Sequence, residues 1–243
     1  MIVIISNLGT YTSQNSKTDY ERILEEKSKS TEINQTIELN TTDYDELRYS
    51  QKEKAIVVFP IFTGFAYQKN GFYDYYLGNC DASCLTMEIK GDFPLSYTSS
   101  QRGFMLLNLL EYPYITDIDI SKNPAILKKY DKVILLHNEY VTKQEFIAIT
   151  NHPNVVYLYP NVMYAEINYE QNTNTMTLIR GHGYPNSQIK NGFDWKFDNS
   201  QLEYDTECKD WKFYEIHNGY MLNCYPEKII TENLDIIRTV KRF

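Results

Sequence analysis

Residues 130–152, YDKVILLHNEYVTKQEFIAITNH, decide how this chain is read. Val133 to Leu136 form an apolar run suited to a strand buried on both faces, and it leads straight into His137, Asn138, Glu139 and Tyr140. Thr142 then opens a helix, with Glu145 three residues later as a capping box. In an open α/β sheet, ligands gather outside the carboxyl ends of the strands. Four groups able to bind a metal or move a proton therefore stand where such a fold does its chemistry. His137 and Glu139 are the candidate proton-transfer pair. The helix N-terminus adds positive potential, which favours an anionic ligand or a negatively charged coordinating group.

Strand and helix signals alternate outward from this stretch. Ala55 to Phe62, AIVVFPIF, is a continuous apolar strand that stops or bends at Pro60. AYQKNGFYDYYLGN (66–79) reads as a short helix or aromatic loop around Phe72, Tyr73 and Tyr76. Leu85 to Ile89 is a strand, Ser99 to Leu110 an amphipathic helix, and Ile115 to Ile120 another strand. Pro124 opens a short helix ending near Lys129, and Val155 to Tyr159 is a strand between prolines. Asn161, Tyr164 and Glu166 follow it and face the same crevice. His182, set between two glycines, lets backbone approach a ligand closely.

After residue 160 the pattern becomes β-rich. Met163 to Tyr169 and Thr175 to Arg180 flank an Asn-Thr-Asn turn as a hairpin. Short strands follow at Lys212 to Ile216 and Tyr220 to Cys224, and Ile229 to Val240 closes the chain as a strand or short helix. The expected architecture is a mainly parallel, Rossmann-like α/β sheet with helices on both faces. Residues 1–54 read as a polar, partly ordered leader with one helical candidate, Asp19 to Lys29. Residues 55–243 form a single α/β domain, with 161–243 as its β-rich C-terminal extension.

Composition narrows the partners. The chain has 243 residues, 42% of them hydrophobic, so it can bury a sizeable core. A net charge of −8 and the lack of any basic run argue against nucleic acid and anionic membrane. No apolar run approaches the ~20 residues of a membrane span. Met1 to Ile5 lacks the charged flank of a signal peptide and reads as a first strand or the stub of an anchor. The 22 tyrosines suit half-buried edges, where an amphipathic ring has one dry side and one wet side.

Four cysteines, Cys80, Cys84, Cys208 and Cys224, allow three pairings. A His217-Asn218-Gly219 turn between aromatic strands would bring Cys208 to Cys224, a closure worth ~3 kcal/mol in the chain-entropy model. Cys80 and Cys84 would pair locally. The alternatives are a four-thiolate zinc site, which the spacings fit poorly, and reduced thiols in a cytoplasmic protein. Sequons at Asn34 and Asn40 lean towards an extracytoplasmic location.

The succession AIVVFPIF (55–62), KVILLHNEYVTKQEF (132–146), NVVYLYPNVMYAEI (154–167) and TLIRGHGYP (177–185) resembles archaeal proteins of uncharacterised role. These are related to the C-terminal domain of the N,N-dimethylformamidase large subunit, which has the class I glutamine-amidotransferase-like fold. The resemblance spans roughly residues 55–226, and HNEYVT and YAEI carry it best. Such archaeal chains usually begin with an export signal. The thiol chemistry of glutamine amidotransferases does not come with it, because the elbow after Leu136 holds His137-Asn138-Glu139-Tyr140 and no cysteine. The formamidase relationship implies a mononuclear iron held by two tyrosinates and a glutamate. Tyr140 would be one ligand, with Tyr97 (PLSYTSS) and Glu203 (QLEYD) completing the set, a hard-oxygen shell suited to Fe(III).

Two functions follow as expectations. The first is an exported domain that binds a small-molecule ligand or a cell-surface partner without amidotransferase chemistry. The alternative is an iron-dependent amide hydrolase. A purely structural surface protein is the third reading, since fold by itself does not choose among them.

Overall fold

The computed structural model describes residues 2–5, 37–91 and 95–243. The helical candidate at 19–29 and the sequon at Asn34 lie outside them. Strand β1 (Ile2–Ile5) pairs antiparallel with β2 (Ile37–Asn40). Asn40 then caps α1 (Thr41–Leu47), its Oδ1 accepting the Asp43 N–H at 2.9 Å. Within the expected leader, Leu39 and Leu47 are thus buried in the core.

The main sheet starts at β3 (Ala55–Phe59), where strictly apolar residues feed both faces. Pro60 ends the strand and α2 (Ile61–Ala66) follows, then α3 (Phe72–Tyr76) in the aromatic stretch. The expected strand at 85–89 shortens to β4 (Thr86–Glu88), and α4 (Gln101–Leu109) covers the amphipathic run. The strand expected at 115–120 is β5 (Tyr114–Thr116) and stops there. Thr116 and Asp119 form a capping box that starts α5 (Asp117–Lys122), so local capping overrides the β-branched run.

Next come β6 (Lys132–Leu135), β7 (Tyr140–Thr142) and α6 (Lys143–Thr150). The helix is capped by Thr142, whose Oγ1 accepts the Glu145 N–H at 3.3 Å. Glu145 is fully buried, and burial together with Asp117 pushes its pKa well up, against the Thr142 backbone N–H that acts to lower it. Strand β8 (Val155–Tyr157) precedes the hairpin of β9 (Ala165–Glu170) and β10 (Thr175–Arg180). A second hairpin, β11 (Phe213–Ile216) and β12 (Gly219–Leu222), leads to α7 (Asp235–Arg242), so the chain ends on a helix.

Six strands make the main sheet in the order β11-β12-β8-β6-β3-β5, all neighbours parallel except the β11–β12 hairpin. Strands β3 and β6 are direct parallel neighbours, with Ile56 opposite Val133. Alternate residues supply two cores. Val57, Phe59 and Ile134 pack under α2, α4 and α7, whereas Ile56, Val58 and Val133 pack under α5 and α6. A second sheet, β4-β10-β9-β7, is mostly antiparallel. The stretch from 161 onward therefore supplies strands to both sheets. Gly219 permits the parallel pairing of β12, since a Cβ there would lie 1.8 Å from the Val155 carbonyl oxygen.

Both cysteine pairs are joined. Cys80 and Cys84 have Cα atoms 6.1 Å apart, and Cys208 and Cys224 close across the second hairpin at 5.3 Å. No helix among the described residues is long and apolar enough to cross a membrane.

One hydroxyl connects the two sheets. Thr63 Oγ1, in α2, accepts the N–H groups of Glu139 and Tyr140 at 2.9 and 3.2 Å. Thr63→Val should leave both buried donors unpaired and cost about 1–3 kcal/mol or more in denaturant unfolding. Thr63→Ser should recover most of that loss; equal stability of all three proteins would contradict the role.

Candidate functional site

Between β6 and β7 the backbone is held by side chains rather than by a ladder. Ser100 Oγ accepts the His137 N–H at 2.8 Å, the Asn138 N–H turns back to the Leu136 carbonyl, and Thr63 takes the donors of Glu139 and Tyr140. The polar cluster is thereby fixed at the carboxyl edge of the main sheet, beside the end of β3. Here the chain reverses its direction of travel, β5 lying on one side of β3 and β6 on the other.

His137 is 2% exposed, and its Nδ1 lies 2.7 Å from the Thr98 carbonyl oxygen. A carbonyl accepts and never donates, so Nδ1 carries the proton and Nε2 presents a lone pair. That Nε2 has no hydrogen-bond partner among the described residues, and it stands 3.7 Å from Glu139 Oε2. Burial lowers the pKa of His137, outweighing Glu139 and the Thr98 bond, so the ring is held neutral.

Glu139 is completely buried, and His182 Nε2 contacts its Oε1. Burial pushes this carboxyl's pKa up, but His182 and His137 outweigh it and the group stays ionised. His182 reaches it because three successive residues, Gly181, His182 and Gly183, have φ of 131°, 51° and 80°. Two glycines make that left-handed turn accessible. The rings of Tyr76 and Tyr140 stack on His182 at 4.6 and 5.6 Å, and Tyr164 meets it edge-on at 4.5 Å.

These groups open on a cavity of about 400 Å³. Its polar lining is His137, Asn161, His182, Glu203 and Thr98, and its aromatic lining is Tyr67, Tyr73, Tyr76, Tyr97, Tyr204 and Tyr225. Asn161 Nδ2 donates to Glu203 Oε2 at 2.8 Å, while Asn161 Oδ1 is buried without a partner. Burial and the nearby Glu139 charge push Glu203 up to about 7, so it can hold or release a proton at neutral pH. A larger depression of about 530 Å³ runs past Trp211 and Arg238, but none of its lining side chains has a buried polar atom left unpaired.

Of the residues singled out from sequence, His137, Asn161, His182, Tyr97 and Glu203 converge on the cavity. Glu139 stands behind His182. Tyr140 is fully buried beside it and does not line the cavity; burial and Glu139 push its pKa well up, and its hydroxyl interacts with that of Tyr76. Tyr164 joins through its contact with His182. Asn138 and Glu166 are not part of the lining: Asn138 is buried, its carbonyl bonded to Met163, and Glu166 is half-buried on β9.

Helix α6 does not provide the expected anion site. Its N-terminus packs on Ser121, whose Oγ lies 2.9 Å from Thr142 Oγ1, and on the buried carboxyls of Asp117 and Glu145. Among the described residues, no group of three or more His, Cys, Asp or Glu is placed to hold a metal ion.

Sequence reasoning missed Tyr67, Thr98, Tyr204 and Tyr225 as lining residues, and it placed Tyr73 and Tyr76 in an aromatic stretch without a role. The signal was the tyrosine count and its clustering at 67–76. No protein-family model matches the chain, and no curated protein matches it.

Glu203 and Glu227 are both raised from 4.5 to about 7, each chiefly by burial. A carboxyl raised in the folded state keeps its proton where the unfolded chain has already lost it. Unfolding then releases protons between about pH 4.5 and 7, so stability falls as pH rises through that window and levels off above it. Melting temperatures at about pH 5 and pH 8 should differ less for Glu203→Gln and Glu227→Gln than for the parent. An identical difference in all three proteins would rule out these groups as contributors.

Proposed function

We propose that this chain is an exported α/β domain that binds a small molecule at the carboxyl edge of its main sheet, without amidotransferase chemistry. The observation that carries this reading is the cavity floor. His137 Nε2 and Asn161 Oδ1 are buried acceptors with no partner, each costing about 1–3 kcal/mol unless a donor arrives. A ligand bearing N–H or O–H groups supplies that donor.

The strand order β5-β3-β6-β8 supports a Rossmann-like, class I glutamine-amidotransferase-like assignment, with the cavity at the switch point where such sheets bind ligands. Two joined cysteine pairs and the exposed sequon at Asn40 support export. The cysteines are paired away from the elbow after β6, which leaves a thiol mechanism without a nucleophile.

A second reading, an iron-dependent amide hydrolase resembling N,N-dimethylformamidase, draws support from Glu203 and Tyr97 in one lining. Phenolate and carboxylate oxygens suit Fe(III) chemically. The fit is poor in position. Tyr97 is 44% exposed on the rim, stacked on Tyr225, while Tyr140 is fully buried outside the lining.

Screening a library of small polar molecules by thermal shift should find ligands that stabilise the parent. His137→Ala and Asn161→Ala should each weaken them by about 1 kcal/mol, roughly fivefold in Kd. Elemental analysis of protein from its native host should show less than stoichiometric iron. Stoichiometric iron with a visible charge-transfer band that Tyr140→Phe abolishes would favour the hydrolase instead.

A further inference from the structure

The ligand-binding reading leaves the chemical class of the ligand open, and the charge and shape of the cavity narrow it. Its lining has six tyrosines, one glutamate and no lysine or arginine. Four of the large hydrophobic side chains exposed on the described surface, Tyr73, Leu77, Tyr97 and Tyr204, gather at this one mouth. Lys228 is the lysine that acts on the wall, from beside Tyr97, and its ammonium is already bonded to Glu207.

The polar groups of the floor are acceptors. Nδ1 of His137 is committed to Thr98, which leaves Nε2 as a lone pair, and Asn161 turns its Oδ1 inward unpaired while its amide is spent on Glu203. Glu139 lies ionised behind them, balanced by His182. An anion entering here would meet lone pairs, π-faces and a histidine already engaged by Glu139, with no lysine or arginine in the lining. A cation meets carboxylate charge, two free acceptors and tyrosine rings, the combination that selects ammonium groups over neutral molecules of equal size.

Resting on the binding reading, we propose that the cavity recognises a small organic cation, a protonated alkylamine whose N–H groups reach His137 Nε2, Asn161 Oδ1 and Glu203 while its alkyl body lies against the tyrosine walls. A hydrated metal ion is disfavoured, because the aromatic lining cannot replace its water shell. Glu203 supplies the carboxylate of the lining, held by Asn161 Nδ2 at 2.8 Å.

Three probes with nearly the same carbon body test this: isoamylammonium, isoamyl alcohol and isovalerate, titrated calorimetrically and by tyrosine ring NMR shifts. The ammonium should bind about tenfold or more tighter than the alcohol, with isovalerate weakest. Its affinity should decrease with added salt. Glu203→Gln should lower ammonium affinity about tenfold and alcohol affinity by much less. Tyr204 is 76% exposed, so Tyr204→Leu should fold normally and still weaken the ammonium. Alcohol binding as tightly as the ammonium, or isovalerate binding best, would overturn the cation proposal and leave the binding reading standing. Tyrosine signals of the parent unmoved by all three probes would overturn both.

Discussion

Thr63 pins the backbone at the point where the chain passes from one sheet to the other. Its single oxygen accepts from Glu139 and Tyr140, the residues at which the chain leaves the parallel sheet and starts the antiparallel one. Unpaired, those two N–H groups would be buried donors in a low-dielectric interior, an arrangement native structures avoid. Ser100 does the same for His137. With the backbone of 137–140 satisfied in this way, its side chains need not be turned to structural use, and the polar cluster can face a cavity.

The position of the cavity follows from topology, and its character follows from packing. Strands β5 and β6 depart from opposite sides of β3, which leaves a crevice at their carboxyl ends in any sheet of this order. What fills its walls is decided by distant segments. The aromatic run at 67–77 supplies one wall, Tyr225 after the second hairpin another, and Glu203 with Tyr204 comes from the irregular loop between the hairpins. Tyr225 is tied to the Tyr97 carbonyl at 2.7 Å, so two parts of the chain far apart in sequence move as one wall.

Buried carboxyls are unusually prominent in this fold. Glu139 is compensated chiefly by His182, Glu227 by Tyr159 and the Arg102 N–H, and Asp117 by two backbone donors. Glu145 has only the Thr142 backbone N–H to offset its burial and sits beside Asp117. Burial next to a second carboxyl favours the protonated form. The two faces of the main sheet consequently differ: ionised Glu139 and its histidines lie on the cavity side, and a proton-retaining pair lies under α5 and α6.

The amino-acid sequence alone determined the parallel strands and most helix starts, because burial on two faces demands continuous apolar runs and capping is a local interaction. AIVVF, KVIL and VVY are legible as strands for that reason, as is the helix that Thr142 caps. It also placed His137 and Glu139 at a strand end. Three things needed the tertiary structure. Whether Glu145 keeps its proton depends on Asp117, which comes from another part of the chain. That β4 and β7 pair with the second sheet rather than the first depends on long-range register, which has no local signature. The tyrosine walls depend on segments that meet only after folding, since a tyrosine in a loop carries no mark of the surface it will cover. Those walls, with the side-chain bonds that leave bare acceptors on the floor, set the charge preference of the site opposite to the one suggested by a helix N-terminus.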